Sequence, residues 1–148
     1  MFRQNQYVMD TKVLLAALAG AVTSFLTGWI IWGMALKSFM ESNTSEACVG
    51  CSRGEEMVLW ALFIGCFAWS LLLALLFSRW AGISTFKSGA MAGIWVGFLI
   101  ALGMDFFMYA GSHMFTMNAV IVDIIANAIQ GALVGGVVGL VLGYGEAK

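Results

Sequence analysis

Four long apolar runs decide what this chain can fold into. Residues 13–36 and 57–77 contain no charged side chain, and 88–110 and 119–142 contain one each. Each run is close to the roughly 20 residues that a helix needs to cross a hydrocarbon core about 30 Å thick. None alternates with the period of two that marks a membrane β-strand. In lipid no water satisfies the backbone, so helix is the remaining solution. The predicted fold class is therefore all-α, an integral membrane four-helix bundle forming a single transmembrane domain over residues 1–148. The connections 37–56, 78–87 and 111–118 leave no room for a soluble domain. Thr11, Ser84 or Thr85, and Asn118 are placed to cap the first, third and fourth helices. The chain has no proline, so no helix is kinked by that route.

Composition agrees with the runs. Apolar residues make up 61% of the chain and charged residues 10%, against roughly 45–50% and about 25% in soluble domains. Mean hydropathy is +0.93. The few Lys and Arg are scattered, with a net charge of −1, which excludes a nucleic-acid footprint. The first run is too long for the apolar stretch of a cleavable signal, so it reads as a retained span.

Orientation follows from the basic residues. Arg3, Lys12, Arg79, Lys87 and Lys148 fall on one side, and Lys37 and Arg53 on the other. Five against two predicts both the N-terminus and the C-terminus in the cytoplasm, with the first connection outside. Trp29, Trp32, Trp60 and Trp80 lie toward span ends, as an interfacial belt requires.

Small residues recur every four positions in three spans: Ala16, Gly20, Ser24 and Gly28; Gly89, Gly93, Gly97 and Ala101; Gly131, Gly135, Gly139 and Gly143. In lipid, close backbone approach drives helix association, so these ridges are expected to pack the bundle or a homo-oligomer. The alternative is that they line a narrow conduit. The second span is rich in Leu and Phe and is expected to face lipid most. Spans one and three share an orientation and a small-residue pattern, compatible with a duplicated helix pair.

The two charges inside the spans are Asp105 and Asp123. A carboxylate at a helix centre costs roughly 2.5–3.5 kcal/mol on insertion scales, so such residues face protein or water. Each lies about 6–8 Å inside the outer boundary at 1.5 Å per residue, on spans joined by a short connection. Asp105 continues the Gly97 and Ala101 register, with Tyr109 and His113 beyond it. Asp123 precedes Asn127 and Gly131. Two close carboxylates cannot both ionise cheaply, so the candidate proton or cation site is Asp105, Asp123, Asn127, Tyr109 and His113. The structural alternative is a pair that shares one proton or bonds to Asn127, Tyr109 and backbone, with Lys37 as an ion-pair partner at the same end. No metal-ligand spacing is present, and no cofactor is expected.

Cys48 and Cys51 form a CxxC in the first outer connection, a redox candidate in an oxidising compartment. Glu46, Glu55 and Glu56 surround the pair and work against a reactive thiolate. Cys66 reads as an apolar filler in the second span. The arrangement resembles quinone-linked thiol oxidases, four-helix membrane proteins with a CxxC in the first outer loop. That family carries a second cysteine pair in its second outer loop, and residues 111–118 contain none.

The stretch from Phe77 through Arg79, Trp80 and Gly82 to Phe86, then Gly89-Ala90 and Gly97 to Asp105, with Gly28-Trp29 earlier, resembles small bacterial four-helix membrane proteins grouped as a domain of unknown function. The resemblance implies a multi-pass protein of the bacterial inner membrane with no assigned catalysis. The expected function is a non-enzymatic bundle that self-associates or supports a partner, with a proton or cation site at its outer end. The alternatives are a thiol–disulfide protein and a small transporter or channel subunit. The lipid bilayer and a second copy of the chain are the expected partners.

Overall fold

A computed structural model describes residues 11–48, 53 and 56–145. Among these the chain is all-helical, with four helices long and apolar enough to cross a membrane: Thr11–Ala35, Leu59–Ala81, Phe86–Gly111 and Met117–Gly143. The first is an α-helix, α1 (Thr11–Gly28), that runs directly into a π-helical segment, Trp29–Ala35. A short helix α2 (Lys37–Ser42) follows it. The second span is α3 (Leu59–Leu76) with a π-helical end, Phe77–Ala81. The third and fourth are α4 (Phe86–Gly111) and α5 (Met117–Gly143).

The third and fourth spans start slightly before their apolar runs because caps, not charges, set those ends. Thr85 accepts a hydrogen bond from the Ser88 amide and starts α4. Thr116 accepts from the Ala119 amide and starts α5. Asn118, the expected cap of the fourth helix, is already inside it. After the second span Gly82 adopts φ of 59°, a left-handed conformation that only glycine takes without strain, and the Ile83 amide closes back on the Phe77 carbonyl at 3.1 Å.

Packing is uneven around the bundle. α5 is the most enclosed helix, and α3 and α4 are equally bare, so the second span is not uniquely exposed. α4 packs along α5 through glycine. The position that a Cβ would occupy on Gly89, Gly93 or Gly97 is filled by the carbonyl of Gly135, Gly131 or Asn127. Gly131 and Gly135 meet the carbonyls of Gly93 and Gly89 in return, and Gly139 meets that of Thr85. The Cα–H groups thus point at carbonyl oxygens across the interface, a weak but repeated attraction. Gly20 is held between Val138 and Ser70, where α1 touches α5 and α3. Gly28 meets only the Gln130 side chain, at ordinary contact distance.

The helices pair as α1 with α3 and as α4 with α5, and α1 against α5 joins the pairs, while α3 and α4 barely touch. The main apolar core lies toward the chain termini, where Ala16, Ala17, Leu73, Phe77, Val134 and Val138 are fully buried. A smaller cluster of Ala101, Val120 and Ile124 lies toward the distal end, away from the termini. There the first and third connections are stitched together. Thr44 bridges Phe115, the Ser45 amide donates to the Met114 carbonyl at 2.9 Å, and the Thr116 hydroxyl donates to Asn43 Oδ1 at 2.7 Å.

Candidate functional site

Between the two apolar clusters α5 turns polar on one face. Asp123, Asn127 and Gln130 follow at steps of four and three, which stack along one side of a helix. Asp123 is held by two donors. Trp32 Nε1 donates to Oδ1 at 2.6 Å, and Asn127 Nδ2 donates to Oδ2 at 2.8 Å. The same Asn127 nitrogen also reaches the Asp123 main-chain carbonyl at 3.0 Å, so its own geometry is fixed by α5. One turn further in, Gln130 Nε2 donates to the carbonyl and the hydroxyl of Ser24 on α1, at 3.2 and 2.9 Å. Ser24 is itself 2% exposed.

Asp105 reaches this row from α4. The glycine register that pairs Gly93 with Gly131 and Gly97 with Asn127 descends in steps of four through Ala101 to Asp105, toward the start of α5. Its carboxyl shares the lining of two cavities with the Asp123 carboxyl. Asp105 Oδ2 is buried and meets no hydrogen-bond donor among the described residues, and Gln130 Oε1 is in the same position. The two acids are therefore unequal. Asp123 is anchored by fixed donors, whereas Asp105 leans on a second acceptor, a contact that becomes attractive only when a proton lies between them.

Two cavities meet at this pair. The larger, about 530 Å³, is a cleft whose walls are α3 and α4 and whose floor is α1 and α5. Ala61, Leu62, Gly65, Cys66 and Trp69 form one wall, Ile100 and Met104 part of the other, and Ser24, Gln130, Asn127 and both aspartates the polar floor. Because α3 and α4 barely touch, the cleft opens sideways between them. The smaller cavity, about 290 Å³, lies under the stitched connections and is lined by Trp32, Met40, Met108, Phe115, Ala119 and Val120 with both aspartates. Asp105 and Asp123 line both, and among the described residues no Lys, Arg or His lines either.

The structure brings Asp105, Asp123 and Asn127 together. Tyr109 and His113 line neither cavity; Tyr109 is on the exposed side of α4 and His113 is exposed in the third connection. No ion pair joins Lys37 to either aspartate among the described residues, and the Trp32 indole holds the place proposed for it. Among these residues no three His, Cys, Asp or Glu converge as a metal site. Cys48 ends a short 3₁₀ turn, Glu46–Cys48, its amide donating to the Ser45 carbonyl at 2.8 Å. Cys51 lies outside the described residues.

Three contributors were not among the expected site residues: Trp32, read as part of the interfacial belt, Ser24, read as part of a packing ridge, and Gln130, one turn from Asn127. Trp32 reads as a belt tryptophan from its place toward a span end, and eight residues of regular α-helix beyond Ser24 would leave it about 80° off the Ser24 line. The π-helical segment removes that offset. Its wider turn, seen in the Leu36 amide bonding to the Ile31 carbonyl five residues back at 2.8 Å, lets the chain fall behind the α phase and carries the indole inward. Segments of this type often mark functional positions. Trp29, Trp60 and Trp80 do remain exposed near span ends.

A row of carboxyl and amide groups set inside apolar spans has the side chains to hold a proton or a cation. Comparison with known proteins adds no relative: no family model, curated protein or solved structure matches the chain.

Proposed function

We propose that this chain is a multi-pass protein of the bacterial inner membrane, both termini in the cytoplasm, that binds and exchanges a proton or small cation at the Asp105–Asp123 pair. One observation carries the reading: the pair is the shared wall of two cavities, one under the distal connections and one reaching into the middle of the bundle. A purely structural acid pair needs no such access. The unequal partners suit exchange, because Asp123 keeps its geometry through Trp32 and Asn127 while Asp105 has no donor to lose. The five-to-two distribution of Lys and Arg supports the orientation, and the resemblance of residues 77–105 to small bacterial membrane proteins supports the location. The exposed apolar faces of α3 and α4 are wide enough for lipid or for a second copy.

Infrared difference spectroscopy of the protein in nanodiscs tests this. A protonated-carboxyl band that responds to pH is expected in the natural chain, shifted in Asp105→Glu and lost in Asp105→Asn. An Asp105→Asn spectrum identical to that of the natural chain defeats the proposal.

The open side of the cleft favours a second reading, transport, in which the pair couples ion movement to that of a small molecule. Proteoliposomes carrying a pH-sensitive dye distinguish it. Proton flux at least tenfold lower in Asp105→Asn than in the natural chain is the expected result, and equal flux removes the reading.

A further inference from the structure

The cleft between α3 and α4 has a composition that selects its ligand. Its walls are apolar, with Leu62, Trp69, Ile100 and Met104 along them. Its floor presents carboxyl and amide groups. The two buried side-chain oxygens there that lack a partner, Asp105 Oδ2 and Gln130 Oε1, are both acceptors. Whatever completes this floor must bring hydrogen-bond donors. Among the described residues no Lys, Arg or His lines the cleft to balance an anion. The gap between the two walls gives the cleft an opening toward the bilayer, because among the described residues α3 and α4 barely touch.

We infer that the cleft takes a lipophilic ammonium, a single protonated amine on an apolar body, which enters from the bilayer and displaces the proton shared by Asp105 and Asp123. This rests on the proton-exchange reading above. The exchange balances: the pair with one shared proton carries one negative charge, and the pair with the proton gone and an ammonium bound also carries one. The released proton leaves by the cavity under the distal connections, whose wall the same two carboxyls also line. Constant charge matters in lipid, since a second bare carboxylate is never created. A phospholipid amine fits poorly, because it brings a phosphate and the cleft holds no cation for it. The titratable groups that line the two cavities are Asp105, Asp123 and the Cys66 thiol, so the acid pair is the place where proton and amine compete.

Decylamine is a suitable probe, with decanol as its uncharged counterpart. Titration calorimetry of the full chain in phosphatidylcholine nanodiscs, in buffers of different ionisation enthalpy, counts the protons released. Saturable decylamine binding is expected, with one proton released per site and affinity falling as pH is lowered. Decanol is expected to bind at least tenfold more weakly. Asp105→Asn should lose the proton release and weaken decylamine at least tenfold. Gly65→Leu separates the ligand from the proton site. Gly65 lines the cleft, and a Cβ there meets nothing within 4 Å, so a larger side chain starts into open space at the cleft wall. It should abolish decylamine binding while the pH-responsive carboxyl band persists. Equal binding of decanol, or undiminished decylamine binding in Gly65→Leu or Asp105→Asn, overturns the inference. Absent amine binding with the carboxyl band intact also overturns it and leaves proton exchange standing; loss of the band from the natural chain defeats both.

Discussion

Trp32 fixes the acid pair from the opposite side of the bundle. Its indole N–H is one of two donors on Asp123, and a hydrogen bond to an ionised group contributes about 1.5–3 kcal/mol. Trp32→Phe keeps most of the ring and removes that donor, so unfolding in mixed micelles should show a loss of this size, about 2 kcal/mol. Trp29→Phe, three residues earlier and 66% exposed, should change stability by less than about 0.5 kcal/mol, as surface substitutions do. Equal effects from the two would mean that the indole bond contributes nothing. At this scale the sequence is only partly legible. Asp105 and Asp123 stand out as the only charges within their apolar runs. Asn127 follows from its place one turn after Asp123. Trp32 is hidden by a change of helical phase that composition does not announce. The Gln130–Ser24 bond links residues 106 positions apart, and no local pattern encodes it.

Among the helices, the α4–α5 contact shows why glycine count and glycine role differ. Gly93 faces the Gly131 carbonyl, and Gly103 on the same helix has nothing within 4 Å of where its Cβ would lie. Gly93→Val must push two backbones apart, an overpacking that costs 1–3 kcal/mol or more. Gly103→Ala relieves only the flexibility of glycine and should stabilise by roughly 0.5–1 kcal/mol. Thermal unfolding of the two variants checks the contrast, and a Gly93→Val protein that melts with the natural chain would contradict the described interface. Thr116→Ala removes a cap and the bond to Asn43 together, and a loss of about 1–2 kcal/mol is expected in the same assay. The four-residue spacing falls on Gly89, Gly93, Gly97, Gly131, Gly135 and Gly139, where a Cβ would meet the facing backbone, whereas Gly28 meets only a side chain. It did not mark where helices start, since Thr85 and Thr116 act through hydrogen bonds rather than hydropathy.

Taken whole, the chain is two helix pairs, α1 with α3 and α4 with α5, joined through α1 and α5. The four spans are legible because hydrophobic length is a one-dimensional signal. The open side between α3 and α4 is not, because it depends on which apolar faces find each other. The proposed orientation makes a direct prediction. Green fluorescent protein fused after Lys148 should fluoresce, and alkaline phosphatase fused at the same point should stay inactive, because only the former matures in the cytoplasm; the reverse pattern would place both termini outside. The stitched pairing of helices has a further consequence for biogenesis. As the chain leaves the insertion machinery, the first hairpin holds Trp32 and the second holds both acids. Asp105 and Asp123 therefore meet inside one late-made unit, and the Trp32 donor reaches Asp123 only when that unit docks on the earlier one. Until then the acid is short of a partner in lipid, so an unassembled second hairpin carries its own mark of incompleteness, one that a membrane quality-control protease could read.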